Sequence, residues 1–172
     1  PAHMEDGIAQ LMAGKWQIEE RTLMRARAES GESAFALNEI AIVRAGVSAR
    51  ILTIEADVNG YPVARVSGDG IIASTVTGST AYSLSAGGPI IAPSVKAFVL
   101  TPICPHTMSS RPVVVSEEDR ICLRVVGENG SAQAVCDGRA MWPHVREIGV
   151  ERAEKTAKFL RLNQRNFYHL LR

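Results

Sequence analysis

Two strand-like runs, residues 51–58, in which apolar and polar residues alternate, and residues 61–66, are separated only by Asn59-Gly60. A link this short forces an antiparallel hairpin, because a tight turn of the I′ kind needs positive φ at both positions, which Asn and Gly accept at least cost. Alternation of this kind puts one face of a strand into a core. Other runs keep the same period. Trp16, Ile18, Glu20, Thr22 and Met24 alternate with Gln17, Glu19, Arg21 and Arg25, and residues 97–103 and 113–115 are short apolar strands. Residues 35–43 are expected to pair with the 16–24 run across the polar loop 29–33, with a bulge near Asn38. Residues 120–126 and 131–136 are expected to form a second hairpin across Glu128-Asn129-Gly130, Asp137-Gly138 to turn the chain again, and residues 158–162 to form a last strand.

Helical signals are few. Ile8, Leu11 and Met12 share a face of a short helix over 5–12 with Gly14 at its end, and Phe167, Leu170 and Leu171 make a stripe on a basic tail. Many short strands with few helices give a mainly β chain, a β-sandwich with short helical inserts.

Composition narrows the partners. With 172 residues, 46% of them hydrophobic, the chain has enough apolar mass for one well-packed domain and is not disordered. Nineteen basic against 18 acidic residues leave a net charge of +1, so nothing steers it to nucleic acid or an anionic membrane. No signal peptide or long apolar run is present, and Pro1-Ala2-His3-Met4 resembles a cloning remnant. Cys104, Cys122 and Cys136 fit no zinc spacing and are expected to be buried free thiols in a reducing cytoplasm.

The chemistry concentrates between Gly68 and Arg111. This stretch is dense in small and hydroxyl residues yet bounded by apolar strands, which suits a ligand cleft better than a core. Gly68-Asp69-Gly70 is a turn, residues 71–73 a buried strand, and Thr77-Gly78-Ser79-Thr80 a loop capping a helix over 81–86 that Gly87-Gly88-Pro89 ends. Gly78 lets a ligand approach the backbone, Ser79 and Thr80 supply hydroxyls, and Tyr82 offers a flat face to a base. On residue types alone, a capped helix after a tight turn explains the same letters equally well. Asn38-Glu39, a polar pair inside an apolar strand, is likewise either a bulge bonded to backbone or a ligand contact. His106 reads as structural or solvated, and no Gly-x-Ser-x-Gly, P-loop or His-Glu-x-x-His motif is present.

The run Gly68-Asp69-Gly70, Ser74-Thr75-x-Thr77-Gly78-Ser79-Thr80-Ala81-Tyr82, Ser85-x-Gly87-Gly88 and Thr101-Pro102-Ile103-Cys104-Pro105-His106 resembles the signature of the NAD kinase family in its C-terminal NAD-binding domain. Leu37-Asn38-Glu39 and Asp137-Gly138 match in order and approximate spacing. Val76 stands where the family usually has Pro, which leaves the loop less restricted. The family's Gly-Gly-Asp-Gly-Thr motif, which serves ATP and activates the ribose hydroxyl, is absent from the chain.

The resemblance implies a β-sandwich-like domain over 5–150, and a strand and helix over 151–172 that pack on an N-terminal α/β domain. It implies transfer of a phosphoryl group from ATP or polyphosphate, with Mg, to the adenosine 2′-hydroxyl of NAD, giving NADP. It places Asn38 and Glu39 near the adenosine and its ribose, Thr77, Thr80, Ala81 and Tyr82 around the adenine and ribose, Ser85 and Asp69 toward the nicotinamide, and Asp137 by the same cleft. No catalytic base and no metal ligand are assigned to this chain, which is expected to bind NAD without turnover. A homo-oligomer, dimer or tetramer, is implied as well. Two other readings are a non-catalytic dinucleotide-binding or oligomerisation module and a lipid-kinase relative. The 77–82 loop disfavours the lipid reading, since it builds no apolar pocket.

Overall fold

The computed structural model describes residues 2–46, 50–107, 109–127, 132–162 and 167–171, without the side chains of residues 2, 3, 170 and 171. Its strands are β1 (Gln17–Ala28), β2 (Ser33–Ala36), β3 (Glu39–Arg44), β4 (Leu52–Val58), β5 (Tyr61–Gly68), β6 (Gly70–Thr75), β7 (Ala97–Ile103), β8 (Val113–Ser116), β9 (Ile121–Val126), β10 (Ala132–Cys136), β11 (Arg139–Pro143) and β12 (Glu147–Arg161). They form two six-stranded antiparallel sheets, ordered β2-β1-β12-β9-β4-β5 and β11-β10-β3-β6-β7-β8. The mainly β sandwich expected from the strand spacing is therefore present.

The core lies between the sheets because every inner position obeys the two-residue period. On β4, Leu52, Ile54, Ala56 and Val58 face inward and meet Ile40, Ile42, Ile71, Phe98 and Leu100 of the other sheet in one cluster. Asn59 and Gly60 have φ of 52° and 83°, the double positive φ that the β4–β5 link demands.

Three strand expectations change. The 35–43 run is not one bulged strand: it breaks at Leu37-Asn38, so β2 pairs with β1 in the first sheet while β3 pairs with β6 and β10 in the second. A sheet-to-sheet corner leaves the apolar alternation on both sides intact, so the pattern cannot separate it from a bulge. For the same reason, β9 and β10 do not form a hairpin; β9 lies between β4 and β12, and β10 between β3 and β11. The Glu128-Asn129-Gly130 turn lies outside the described residues. Finally, β12 starts at Glu147 rather than 158 and runs through residue 150 to Arg161, pairing with β1 from Ala28 to Gln17. Polar residues such as Glu151, Glu154 and Lys155 hide its beginning.

Past the ladder irregularity between Thr22 and Met24, residues 17–22 and 156–161 pair only with each other and leave the sandwich as a two-stranded arm. Helix α1 (Ala2–Met12) precedes it, beginning inside the segment read as a cloning remnant, and Ile8, Leu11 and Met12 are exposed. The tail forms a 3-10 turn, Phe167–Leu171, in place of the expected helix; its Leu170 and Leu171 side chains lie outside the description. All three cysteines are free, but only Cys136 is buried, while Cys122 is half-buried and Cys104 is exposed.

Candidate functional site

The second sheet is covered on both sides. Its β6 and β7 are buried at every position, because Ala41, Ile72 and Ile103 on the outer face pack with Val43 and Ala86 in a second small cluster. Ser83, Ala86 and Gly88 bring the segment after β6 against this face. Ser83 Oγ and Thr101 Oγ1 share a buried hydrogen bond of 2.8 Å, tying helix α2 (Tyr82–Ser85) to β7. Ser79 Oγ donates to the Val76 carbonyl at 2.7 Å and accepts from the Ile91 N–H at 3.2 Å, so this hydroxyl is occupied within the protein.

The 77–80 segment is a 3-10 helix, and neither it nor α2 carries the side-chain N-cap that its Ser and Thr residues predict. It is held from below instead. Thr75 Oγ1 accepts from the Gly78 N–H at 3.1 Å and donates to the Leu37 carbonyl at 2.6 Å. A Cβ on Gly78 would fall 2.0 Å from the Asn38 carbonyl oxygen, so the loop rests directly on the backbone of the sheet-to-sheet corner.

That corner presents a buried acid. Glu39 is 8% exposed, its Oε2 has no hydrogen-bond partner, and Ser74, opposite it on β6, buries an equally unpartnered Oγ. Burial pushes the Glu39 carboxyl above the usual carboxylate range and the Asp137 charge adds to this, while the Tyr82 backbone N–H favours the charged form. Leaving two such atoms unsatisfied costs about 1–3 kcal/mol each, and a bound hydroxyl or water removes that cost.

Tyr82, whose backbone N–H meets the Glu39 carboxyl, is 41% exposed. Its phenol is raised, first by burial and then by Cys104, Asp69 and Glu39, so these residues act on one electrostatic neighbourhood. Asp69 sits in the β5–β6 turn, paired with Arg44 at 3.1 Å. Thr80 and Ser85 are exposed, Thr77 and Ala81 half-buried, and Asn38 offers a half-buried side chain while its carbonyl accepts from the Thr75 N–H. Asp137 is engaged differently: its carboxylate accepts from the N–H groups of Leu37, Asn38 and Glu39 at 2.7, 2.8 and 3.0 Å.

The sequence singled out neither Ser74 as a polar neighbour of Glu39 nor Cys104 as a neighbour of Tyr82. The signal for Ser74 was available, since Gly70, Ile72 and Ser74 alternate onto one face. Among the described residues no group of three His, Cys, Asp or Glu is placed to hold a metal ion.

Residues 37–162 match the ATP-NAD kinase C-terminal domain family. Among curated relatives, a NAD kinase of Carboxydothermus hydrogenoformans is 38% identical over 100% of this chain and 63% of its own length, and one of Symbiobacterium thermophilum is 40% identical over 97% and 62%. The chain therefore spans less than two thirds of the relatives it matches. Among solved structures, yeast NADH kinase complexed with NADH superposes with a TM-score of 0.87 at 25% identity, covering 98% of this chain and 51% of that one. An Archaeoglobus fulgidus NAD kinase in complex with ATP gives 0.82 at 30% identity, covering 97% and 64%.

Proposed function

The chain belongs to the ATP-NAD kinase C-terminal domain family, and on that premise we propose that it is the dinucleotide-holding part of a NAD kinase, which phosphorylates the adenosine 2′-hydroxyl of NAD to give NADP. The observation that carries this reading is the buried, partly unpartnered Glu39 carboxyl beside Tyr82. A ribose hydroxyl can donate to Glu39 and accept from Ser74 while the base stacks on the Tyr82 ring. In this assignment Asn38 and Glu39 meet the adenosine ribose, Thr77, Thr80, Ala81 and Tyr82 surround adenine and ribose, and Ser85 and Asp69 face the nicotinamide end.

Phosphoryl transfer is mostly positioning and charge neutralisation, so a domain that fixes the acceptor hydroxyl supplies much of the rate without an ATP motif. Among the described residues no group of three His, Cys, Asp or Glu forms a metal cage of the protein's own. We assign Mg, the ATP or polyphosphate donor and the catalytic base to an N-terminal α/β domain beyond this chain, packed against residues 151–172. The exposed Ile18 and Leu160 of the arm and a cavity of about 270 Å³ beside Trp16 and Leu162 support that placement, because a lone two-stranded ribbon gains little stability in water. A cytoplasmic homo-oligomer, dimer or tetramer, completes the reading; no helix among the described residues is long and apolar enough to cross a membrane.

The test is calorimetric titration of NAD and NADP into this chain, followed by incubation with NAD, magnesium and either ATP or polyphosphate. Binding without NADP formation is expected. No binding overturns the site, and NADP formation at the rate of a full-length relative overturns the division of labour.

A further inference from the structure

Three successive backbone N–H groups, those of Leu37, Asn38 and Glu39, converge on one side chain 98–100 positions away, the carboxylate of Asp137. The main chain reciprocates, with the Asp137 N–H donating to the Glu39 carbonyl at 3.0 Å. Asp137 and Gly138 have φ of 46° and 75° in the turn between β10 and β11, a backbone state that aims this carboxylate at the corner where the chain leaves the first sheet for the second. Hydrogen bonds to an ionised acceptor are about twice as strong as neutral ones, so the corner is held as a charged nest. What it holds is the segment bearing Asn38 and Glu39.

We infer that Asp137 is a positioning residue of the dinucleotide site, acting through the Leu37–Asn38–Glu39 backbone to set the Glu39 carboxyl beside Tyr82, and not through contact with the ligand. The inference rests on the functional reading above. It follows from occupancy: a carboxylate already accepting three N–H donors has little capacity left for a ribose hydroxyl. It also explains why a polar pair survives at the start of a buried strand. Without the nest, three orphan N–H groups and the Glu39 carboxyl would all seek water, and the corner would open.

The variants are Asp137→Asn, Asp137→Gly and Glu39→Gln, each compared with the unaltered chain for NAD binding by calorimetry from pH 5 to 8. Asn and Gly both tolerate the left-handed φ, so neither adds backbone strain. Both Asp137 variants are expected to bind NAD about tenfold more weakly or worse, with faster hydrogen exchange at residues 37–39. Global destabilisation alone lowers the bound fraction at every pH and leaves the midpoint of the pH profile unmoved. The groups facing Glu39 are Asp137 from the β10–β11 turn, Tyr82 from α2 and Ser74 from β6, and the Asp137 carboxylate is the one whose charge raises the Glu39 carboxyl. Asp137→Asn therefore shifts the midpoint of the NAD-binding profile toward lower pH, and Glu39→Gln flattens the profile. Wild-type affinity and midpoint in the Asp137 variants, with Glu39→Gln impaired, overturn this inference alone. No NAD binding by the unaltered chain, or no effect of any variant, overturns the functional reading and the inference with it. If Asp137→Gly fails to fold, Asp137→Asn decides; if both fail, Asp137 supports the whole fold and the inference is wrong.

Discussion

The outer faces of the two sheets treat charge in opposite ways. On the first sheet, carboxylates stand beside cations: Glu55 in register with Arg65 at 3.0 Å, Glu147 in register with Arg124 at 2.7 Å, and Asp57 diagonal to the same Arg124 at 3.6 Å. Arg25 and Arg120 flank Glu151 in the same manner. Each pair is at least partly exposed, so water competes with it and the whole lattice adds little to stability. On the second sheet the charge is fewer and deeper, and Glu39 and Ser74 leave atoms unmatched under a cover of short turns. The difference teaches where to look for function: a surface whose polar groups are already matched has no chemistry left to offer, whereas one that keeps buried groups unmatched is shaped for something that is not part of the chain.

That contrast can be broken by substitution. Gly78→Ala should have the largest effect, since its Cβ would meet the Asn38 carbonyl oxygen at 2.0 Å and neither backbone can yield. We expect a loss of about 3 kcal/mol in urea unfolding together with lost NAD binding; wild-type stability would mean that the loop does not rest on the corner. Tyr82→Ala should leave the fold intact and weaken NAD by about 1–3 kcal/mol in calorimetry, the value of an aromatic ring stacked on a base. Unchanged affinity would move the site elsewhere. The smallest effect belongs to the first sheet. Arg65→Ala removes the Glu55 pair from a 65% exposed side chain, and the melting temperature should stay within about 2 °C with NAD affinity unaltered.

Much of this was legible in the letters, for physical reasons that differ by region. The β4–β5 hairpin, β6, β7 and the Asp137-Gly138 turn are local, decided by alternation and by residues that tolerate positive φ. What escaped is non-local. Nothing in Ala36-Leu37-Asn38-Glu39 states that β2 and β3 join different sheets, because the information lies in Asp137, about a hundred residues away. The site residues were named by motif resemblance, and their division of labour required geometry: Ser79 is spent on Val76 and Ile91, Glu39 is left open, and Ser74 turns out to stand opposite it.

The nest at the corner also sets an order of events. Leu37 and Asp137 are 100 positions apart, whereas the β4–β5 hairpin closes across two residues, and the entropy of closing a loop grows with its length. On a ribosome, β4 and β5 can pair as soon as they emerge, but Glu39 cannot acquire its carboxylate anchor until the turn after β10 has been made. The face that carries Glu39 is thus a late product of synthesis, and a chain arrested before residue 137 would carry the hairpin, the 77–80 loop and Tyr82 with no fixed acid beside them.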